Sequence, residues 1–195
     1  MLVSGSSAAT TVARSLYHDD RPTIVGRDDA AGPVSDQLTL RLGAPPDRRA
    51  SLDLWFDGAS RGNGRDGARA AIGGLVIDPE TGEVLVEVSD AIGEETNNVA
   101  EYRALLATIE AAAAFPSRTI RVHGDSALVV NQLLGRWKVK AAHLAPLLRA
   151  VKAAAARYER VEYVHVPRAE NARADALANA ALDRVDPAEQ AGSGA

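Results

Sequence analysis

At 195 residues, 46% hydrophobic and 25% charged, the chain has the make-up of a soluble globular protein with room for one well-packed domain and a tail. It has no cysteine, which excludes disulfides, thiolate zinc sites and a cysteine nucleophile, and no apolar run approaches the roughly 18 residues of a membrane-spanning helix. The formal net charge of −4 argues against wrapping nucleic acid by bulk electrostatics, yet leaves room for carboxylates gathered at metals, because bound cations turn an acidic cluster into a phosphate receptor. The opening stretch MLVSGSSAATTVARSLYHDD lacks a basic region followed by an apolar core, so it does not read as a secretory signal and the cytoplasm is the expected address.

Residues 1–50 are rich in Ser, Ala, Gly, Asp and Pro without a sustained period, and Gly43-Ala44-Pro45-Pro46-Asp47-Arg48-Arg49 reads as linker, so a mostly disordered extension is expected. A short strand at 38–42 is the one exception that alternation suggests. From Ser51 the texture changes. Residues 51–57 alternate Leu52, Leu54 and Phe56 with polar or amphipathic partners, which predicts a strand, followed by a glycine-rich turn over 58–67. Strands are predicted at 69–77 and 83–92 around the turn Asp78-Pro79-Glu80-Thr81-Gly82, completing an antiparallel meander. A helix over 97–114 follows, with Thr96 as N-cap and Pro116 beyond its end. Then come a strand at 119–124, helices at 126–134 and 142–158, a strand at 161–166 and a helix at 171–184. This order predicts an α/β fold: a five-stranded mixed sheet, three antiparallel strands and then a parallel part, flanked by helices. The domain is expected to span 51–186, and 187–195 to be a flexible tail.

Four carboxylates stand in places that chemistry explains better than packing. Asp57 and Asp125 fall at predicted strand ends, where open α/β sheets gather ligands. Glu101 shares the helical row of Leu105 and Ile109, so it points along an apolar stripe where an ionised group is costly unless paired or bound to a cation. Asp175 lies in the first turns of the last helix. Taken singly, Asp57 and Asp125 also read as turn or capping groups, and Asp175 as a complement to the helix dipole. Together they suggest a site for hard divalent cations such as Mg²⁺ or Mn²⁺, two of which roughly 4 Å apart can activate water and stabilise a leaving oxygen in phosphodiester hydrolysis.

At this point four ordered blocks become recognisable. Leu54-Trp55-Phe56-Asp57-Gly58-Ala59-Ser60-Arg61-Gly62-Asn63-Gly64, then Thr96-Asn97-Asn98-Val99-Ala100-Glu101-Tyr102, resemble the first two blocks of the ribonuclease H type I family. His123-Gly124-Asp125-Ser126 with Leu128 to Gln132 resembles the third, and Arg168, Asn171, Ala174-Asp175 and Leu177-Ala178 the fourth. The resemblance covers about residues 51–184 and implies a ribonuclease H-like fold. It also implies an endoribonuclease that cuts the RNA strand of RNA–DNA hybrids, with Asp57, Glu101, Asp125 and Asp175 holding two Mg²⁺ (or Mn²⁺) ions. The implied products carry 5′-phosphate and 3′-hydroxyl ends, and a monomer without an obligate protein partner is expected.

Two departures matter. Many bacterial members carry a histidine in the loop before the last helix. Here an ungapped count back from Asp175 reaches His165, in a predicted strand, while Arg168 resembles the arginine of an archaeal and actinobacterial branch. Arg168 is favoured over His165 as the auxiliary residue, and a surface ion pair with Glu170 is the plainer reading of Arg168. Secondly, the segment after the third block is short: Arg136-Trp137-Lys138-Val139-Lys140 sets cations around a tryptophan, so Trp137, Lys138 and Lys140 are candidate contacts to the DNA strand, unless Trp137 is a core anchor. The resemblance also makes Gly58, Ser60, Asn63, Asn98 and Gln132 candidates for reading the 2′-hydroxyl, the group that separates RNA from DNA. No hybrid-binding pattern is visible in 1–50, so weak affinity and low processivity are expected.

Rival readings fare worse. Gly124-Asp125-Ser126 resembles a GDS-type esterase signature, but it is not near the chain start, no Asp-x-x-His partner follows, and Gly-x-Ser-x-Gly is absent. The spacing Gly62, Gly64, Gly67 mimics a dinucleotide loop but leads into a strand rather than a helix. A non-catalytic binding module on the same fold would need a broken carboxylate set. A nuclease that also cuts double-stranded RNA remains open.

Overall fold

The computed structural model describes residues 49–62 and 69–185. The strand read at 38–42, the tail at 187–195 and all but the last two residues of the 1–50 extension lie outside these residues. Among the described residues the order is β1 (Arg49–Arg61), β2 (Arg69–Ile77), β3 (Val84–Gly93), α1 (Asn97–Ala112), β4 (Ser117–Gly124), α2 (Ala127–Leu133), α3 (Leu144–Ala155), β5 (Arg160–His165) and α4 (Ala172–Val185). The strands form one sheet in the order β3-β2-β1-β4-β5. The pairs β1–β2 and β2–β3 are antiparallel, and β1–β4 and β4–β5 are parallel. This is the five-stranded mixed sheet that the element order predicts.

One boundary differs in a way that builds the site. Residues 58–61 are not a turn: β1 stays paired with β2 from Asp53↔Ile77 to Arg61↔Arg69. Its parallel pairing with β4 stops at Trp55↔His123. Asp57 is therefore not at a strand end. It lies on the part of β1 that has outlasted its β4 neighbour, with that side of the strand opened by the departure of the chain after Gly124. The reversal after β1 begins at Gly62, whose φ of 80° suits a residue without a Cβ.

The two faces of the sheet are covered by different helices. On one face Leu52, Leu54 and Phe56 from β1 and Ile120 and Val122 from β4 pack against Tyr102, Leu105 and Ile109 of α1, with Val151 and Ala155 of α3 behind. Helix α1 forms because its apolar positions recur at helical spacing and Thr96 caps it, accepting from the Val99 amide at 3.4 Å. On the other face α4 meets β1 and β2 through small residues: Ala59, Ala71 and Ala181 cluster with Leu182. A Cβ on Gly73 of β2 would stand 2.2 Å from the Ala174 carbonyl oxygen and 2.6 Å from the Ala178 nitrogen, so this seam depends on glycine.

Candidate active site

The carboxyl half of β1, the end of β4 and the starts of α1 and α4 meet around a polar cleft. Asp57, Glu101, Asp125, Asp175, Arg168 and Ser60 are among its lining residues. Asp57 and Glu101 are 5% and 6% exposed, values that an unneutralised pair of carboxylates does not tolerate cheaply. One oxygen each from Asp57, Glu101 and Asp125 lies within 4.8 Å of the other two. The Gly58 amide donates to the Glu101 carboxylate, while Glu101 Oε2 is buried without a hydrogen-bond partner. That approach of α1 to β1 explains the glycine: a Cβ on Gly58 would stand 2.1 Å from the Glu101 nitrogen.

The electrostatics follow from this crowding. Burial, then the charges of Asp125 and Asp175, push the Asp57 carboxyl up to about 7, and Asp57 and Asp125 are close enough to share a hydrogen bond. Burial, followed by the charges of Asp57 and Asp125, raises Glu101 well above the usual carboxylate range. His123, two residues before Asp125, stacks on Trp55 with ring centroids 4.4 Å apart, and burial lowers its pKa, so the ring adds no neutralising cation at pH 7. A buried, partnerless carboxylate oxygen beside two further carboxylates fits an oxygen-ligated divalent cation, which would supply the missing positive charge.

Asp175 joins the cleft from the first turn of α4 but stands outside the three-oxygen cluster. Its Oδ1 accepts from Arg168 at 2.5 Å and its Oδ2 from Asn179 at 3.0 Å. Arg168, whose side chain is 77% exposed, thus pairs with Asp175 rather than Glu170. His165 ends β5 with its ring Nε2 3.2 Å from the Asp125 carbonyl oxygen, held at the strand end rather than in the loop.

The other sequence candidates separate into four groups. Gly58 and Ser60 line the cleft, and Ser60 donates to the Glu95 carbonyl at 3.1 Å. Asn98 is exposed in the first turn of α1, but it is its neighbour Asn97 that lines the cleft. Trp137, Lys138 and Lys140 are all exposed; at 51% exposure Trp137 is not a core anchor. Gln132 needs correction: it is buried, its Oε1 accepts from the Tyr102 hydroxyl at 2.7 Å and its Nε2 reaches the Lys138 carbonyl at 3.5 Å, so its amide is turned inward and is not available to a 2′-hydroxyl. Asn63 lies outside the described residues. Sequence reasoning passed over Asn97, Asn171 and Asn179 as site residues; for Asn171 and Asn179, the only signal was their place in or beside the fourth block.

Comparison with known proteins bears on the fold and the family. A family profile described as reverse transcriptase-like matches residues 56–181. The Ribonuclease HI of Halobacterium salinarum is 40% identical over 164 residues, covering 80% of each chain. Among solved structures, the N-terminal RNase H domain of a Mycobacterium tuberculosis protein, fused to maltose-binding protein, superposes with a TM-score of 0.65 at 42% identity, over 69% of this chain and 100% of that one. LC11-RNase H1, isolated from compost and solved in complex with an RNA/DNA hybrid, gives 0.63 at 35% identity, over 69% of this chain and 98% of that one. With the fold, the carboxylate cluster and these relatives in agreement, the chain belongs to the ribonuclease H type I family.

Proposed function

We propose that the chain is an endoribonuclease that hydrolyses the RNA strand of RNA–DNA hybrids, using divalent cations held by Asp57, Glu101, Asp125 and Asp175. The observation that carries this reading is the cluster of three carboxylates with oxygens within 4.8 Å of one another, two of them buried and one left with an unpartnered oxygen. The relative from Halobacterium salinarum is named Ribonuclease HI, and LC11-RNase H1 is solved with the hybrid bound, which supports the choice of substrate.

All-oxygen ligation favours Mg²⁺ or Mn²⁺, and four carboxylates suit two such ions. Bound there, divalent cations would activate a water for attack on phosphorus and stabilise the leaving 3′ oxygen. The protein's own share is positioning and charge. Asp57 and Asp125 bring anionic oxygens to one spot, Glu101 presents its carboxylate from the rigid start of α1, and the Gly58 amide orients it. Arg168, permanently charged and exposed at the rim, suits a phosphate oxygen better than a proton relay. On this reading Gly58, Ser60, Asn97 and Asn98 would contact the RNA strand, which the place of Gly58, Ser60 and Asn97 in the cleft lining supports, and Trp137, Lys138 and Lys140, all exposed, would contact the DNA strand. All four carboxylates come from one chain, which supports action as a monomer.

The test is a panel of 5′-labelled substrates with Mg²⁺ or Mn²⁺: the hybrid, an RNA duplex and a DNA duplex. Cutting of the hybrid's RNA alone, leaving 5′-phosphate and 3′-hydroxyl ends, is the expected result. Cutting of the RNA duplex as well would broaden the substrate. Binding of hybrid without cleavage would replace the enzyme with a binding module.

A further inference from the structure

We infer that Asn171 is a positioning residue that sets the Asp125 carboxylate for cation binding, an inference that rests on the cation-binding reading of the cleft. Asn171 lies just before α4 and is 1% exposed. Its Nδ2 donates both to the Phe56 carbonyl, at 2.9 Å, and to Asp125 Oδ1, at 3.0 Å. Both partners are acceptors, so chemistry settles the amide's orientation: turned over, its own oxygen would face two other oxygens.

The same residue fastens every strand and helix that delivers a carboxylate to this side of the cleft. Phe56 is the residue before Asp57. The Asn171 carbonyl accepts from the Asp175 amide at 3.1 Å, and its own amide donates to the Arg168 carbonyl at 3.0 Å. Asp125 follows β4 at the point where that strand has parted from β1, so nothing in the sheet ladder holds its side chain. The bond from Asn171 restricts rotation of that carboxylate and keeps it beside Asp57 and Glu101. Asn171 Oδ1 is buried with no partner, so the residue is not the choice that packing alone would make. Groups that orient metal ligands in this way are commonly worth about 10- to 100-fold in metal affinity.

The experiment compares Mn²⁺ binding, by calorimetry, to the unmodified protein and to Asn171→Ser, at a temperature where circular dichroism shows both folded. The expected result is Mn²⁺ binding weakened by about 10- to 100-fold, with kcat reduced at limiting metal and KM for the hybrid little changed. Unaltered Mn²⁺ affinity in the folded variant overturns the inference while leaving hybrid cleavage standing. Absence of Mn²⁺ binding by the unmodified protein overturns the cation site itself, and the inference with it. Should Asn171→Ser fail to fold, ¹⁵N-edited NMR of the unmodified protein and of Asp125→Ala decides. A slowly exchanging Asn171 side-chain amide that shifts and exchanges faster in Asp125→Ala supports the positioning role, whereas exchange as fast as that of exposed amides removes it.

Discussion

The two faces of the sheet are packed with different kinds of side chain, and the active site sits where they meet. On the α1 and α3 face, Leu52, Leu54, Phe56, Tyr102, Leu105 and Ile109 are fully buried. On the α4 face, Ala59, Ala71 and Gly73 meet Ala174, Ala178 and Ala181. Large apolar side chains remove much surface from water, at about 25 cal/mol per Å², so the first face carries the larger share of stability. Small side chains contribute less area but set how closely a helix can lie. Each helix delivers one carboxylate to β1 and β4: Glu101 from α1 and Asp175 from α4. At both places a glycine of the sheet, Gly58 or Gly73, allows backbones to approach where a Cβ would collide. Bulk gives stability here, and closeness gives the site.

Substitutions can pull these two contributions apart. The largest effect is expected from Asp57→Asn or Glu101→Gln: a loss of activity of about a hundred- to a thousandfold or more. In metal-free buffer the same variants should melt higher than the unmodified protein, because each removes a buried, repelled charge; an unchanged or lower melting temperature would contradict the crowding inferred for the cluster. The same crowding predicts a pH dependence with a definite sign. Asp57 titrates near 7 in the folded protein against 3.8 as a free side chain, so the folded state holds more protons than the unfolded state between those values. Glu101 is shifted in the same direction. Metal-free stability should therefore fall as pH rises from about 4 to 7, and saturating Mg²⁺ should flatten that slope, as thermal melts with and without the ion would show.

Leu54→Ala, on the large-residue face, should cost about 2–5 kcal/mol in denaturant unfolding while sparing the activity of the molecules that remain folded. Gly73→Ala, on the small-residue face, should show the reverse balance. Its stability loss, about 1–3 kcal/mol, is smaller, but the shift of α4 should weaken cation binding by moving Asp175. If Gly73→Ala unfolds the protein more readily and leaves Mn²⁺ affinity untouched, the seam is structural only. The mildest effect is expected from Arg168→Ala. Its exposed guanidinium is screened by solvent, so hybrid cleavage should slow by no more than about tenfold.

Much of this was legible in the chain because the strongest signals are local. Alternation in 51–57 and helical spacing after Thr96 need no distant partner, and Glu101 stood out as a charge on an apolar row. The misread segment was 58–61, where glycine suggested a turn. Gly58 is glycine for another reason: α1, more than forty residues later, presses its backbone against it. Gln132 misled in the same way, since an amide on a short helix looks exposed until Tyr102, 30 residues earlier, is seen to occupy it. The roles of Asn171 and Asn179 were hidden because each is defined by what its amide touches, and for Asn171 the partners lie 46 and 115 residues away. Local period reveals elements; only the folded chain reveals which polar groups are already spoken for.

The central claim is that Asp57, Glu101 and Asp125 form a cation site that cuts the RNA of a hybrid. The most direct test is a titration of Mg²⁺ into a labelled RNA–DNA hybrid with the metal-stripped protein and with folded Asp125→Asn. Cleavage of the RNA strand should rise from nothing with added Mg²⁺ and stay absent in the variant. A metal-stripped protein that cuts as fast as the loaded one, or an Asp125→Asn variant that cuts as fast as the unmodified protein, would contradict it.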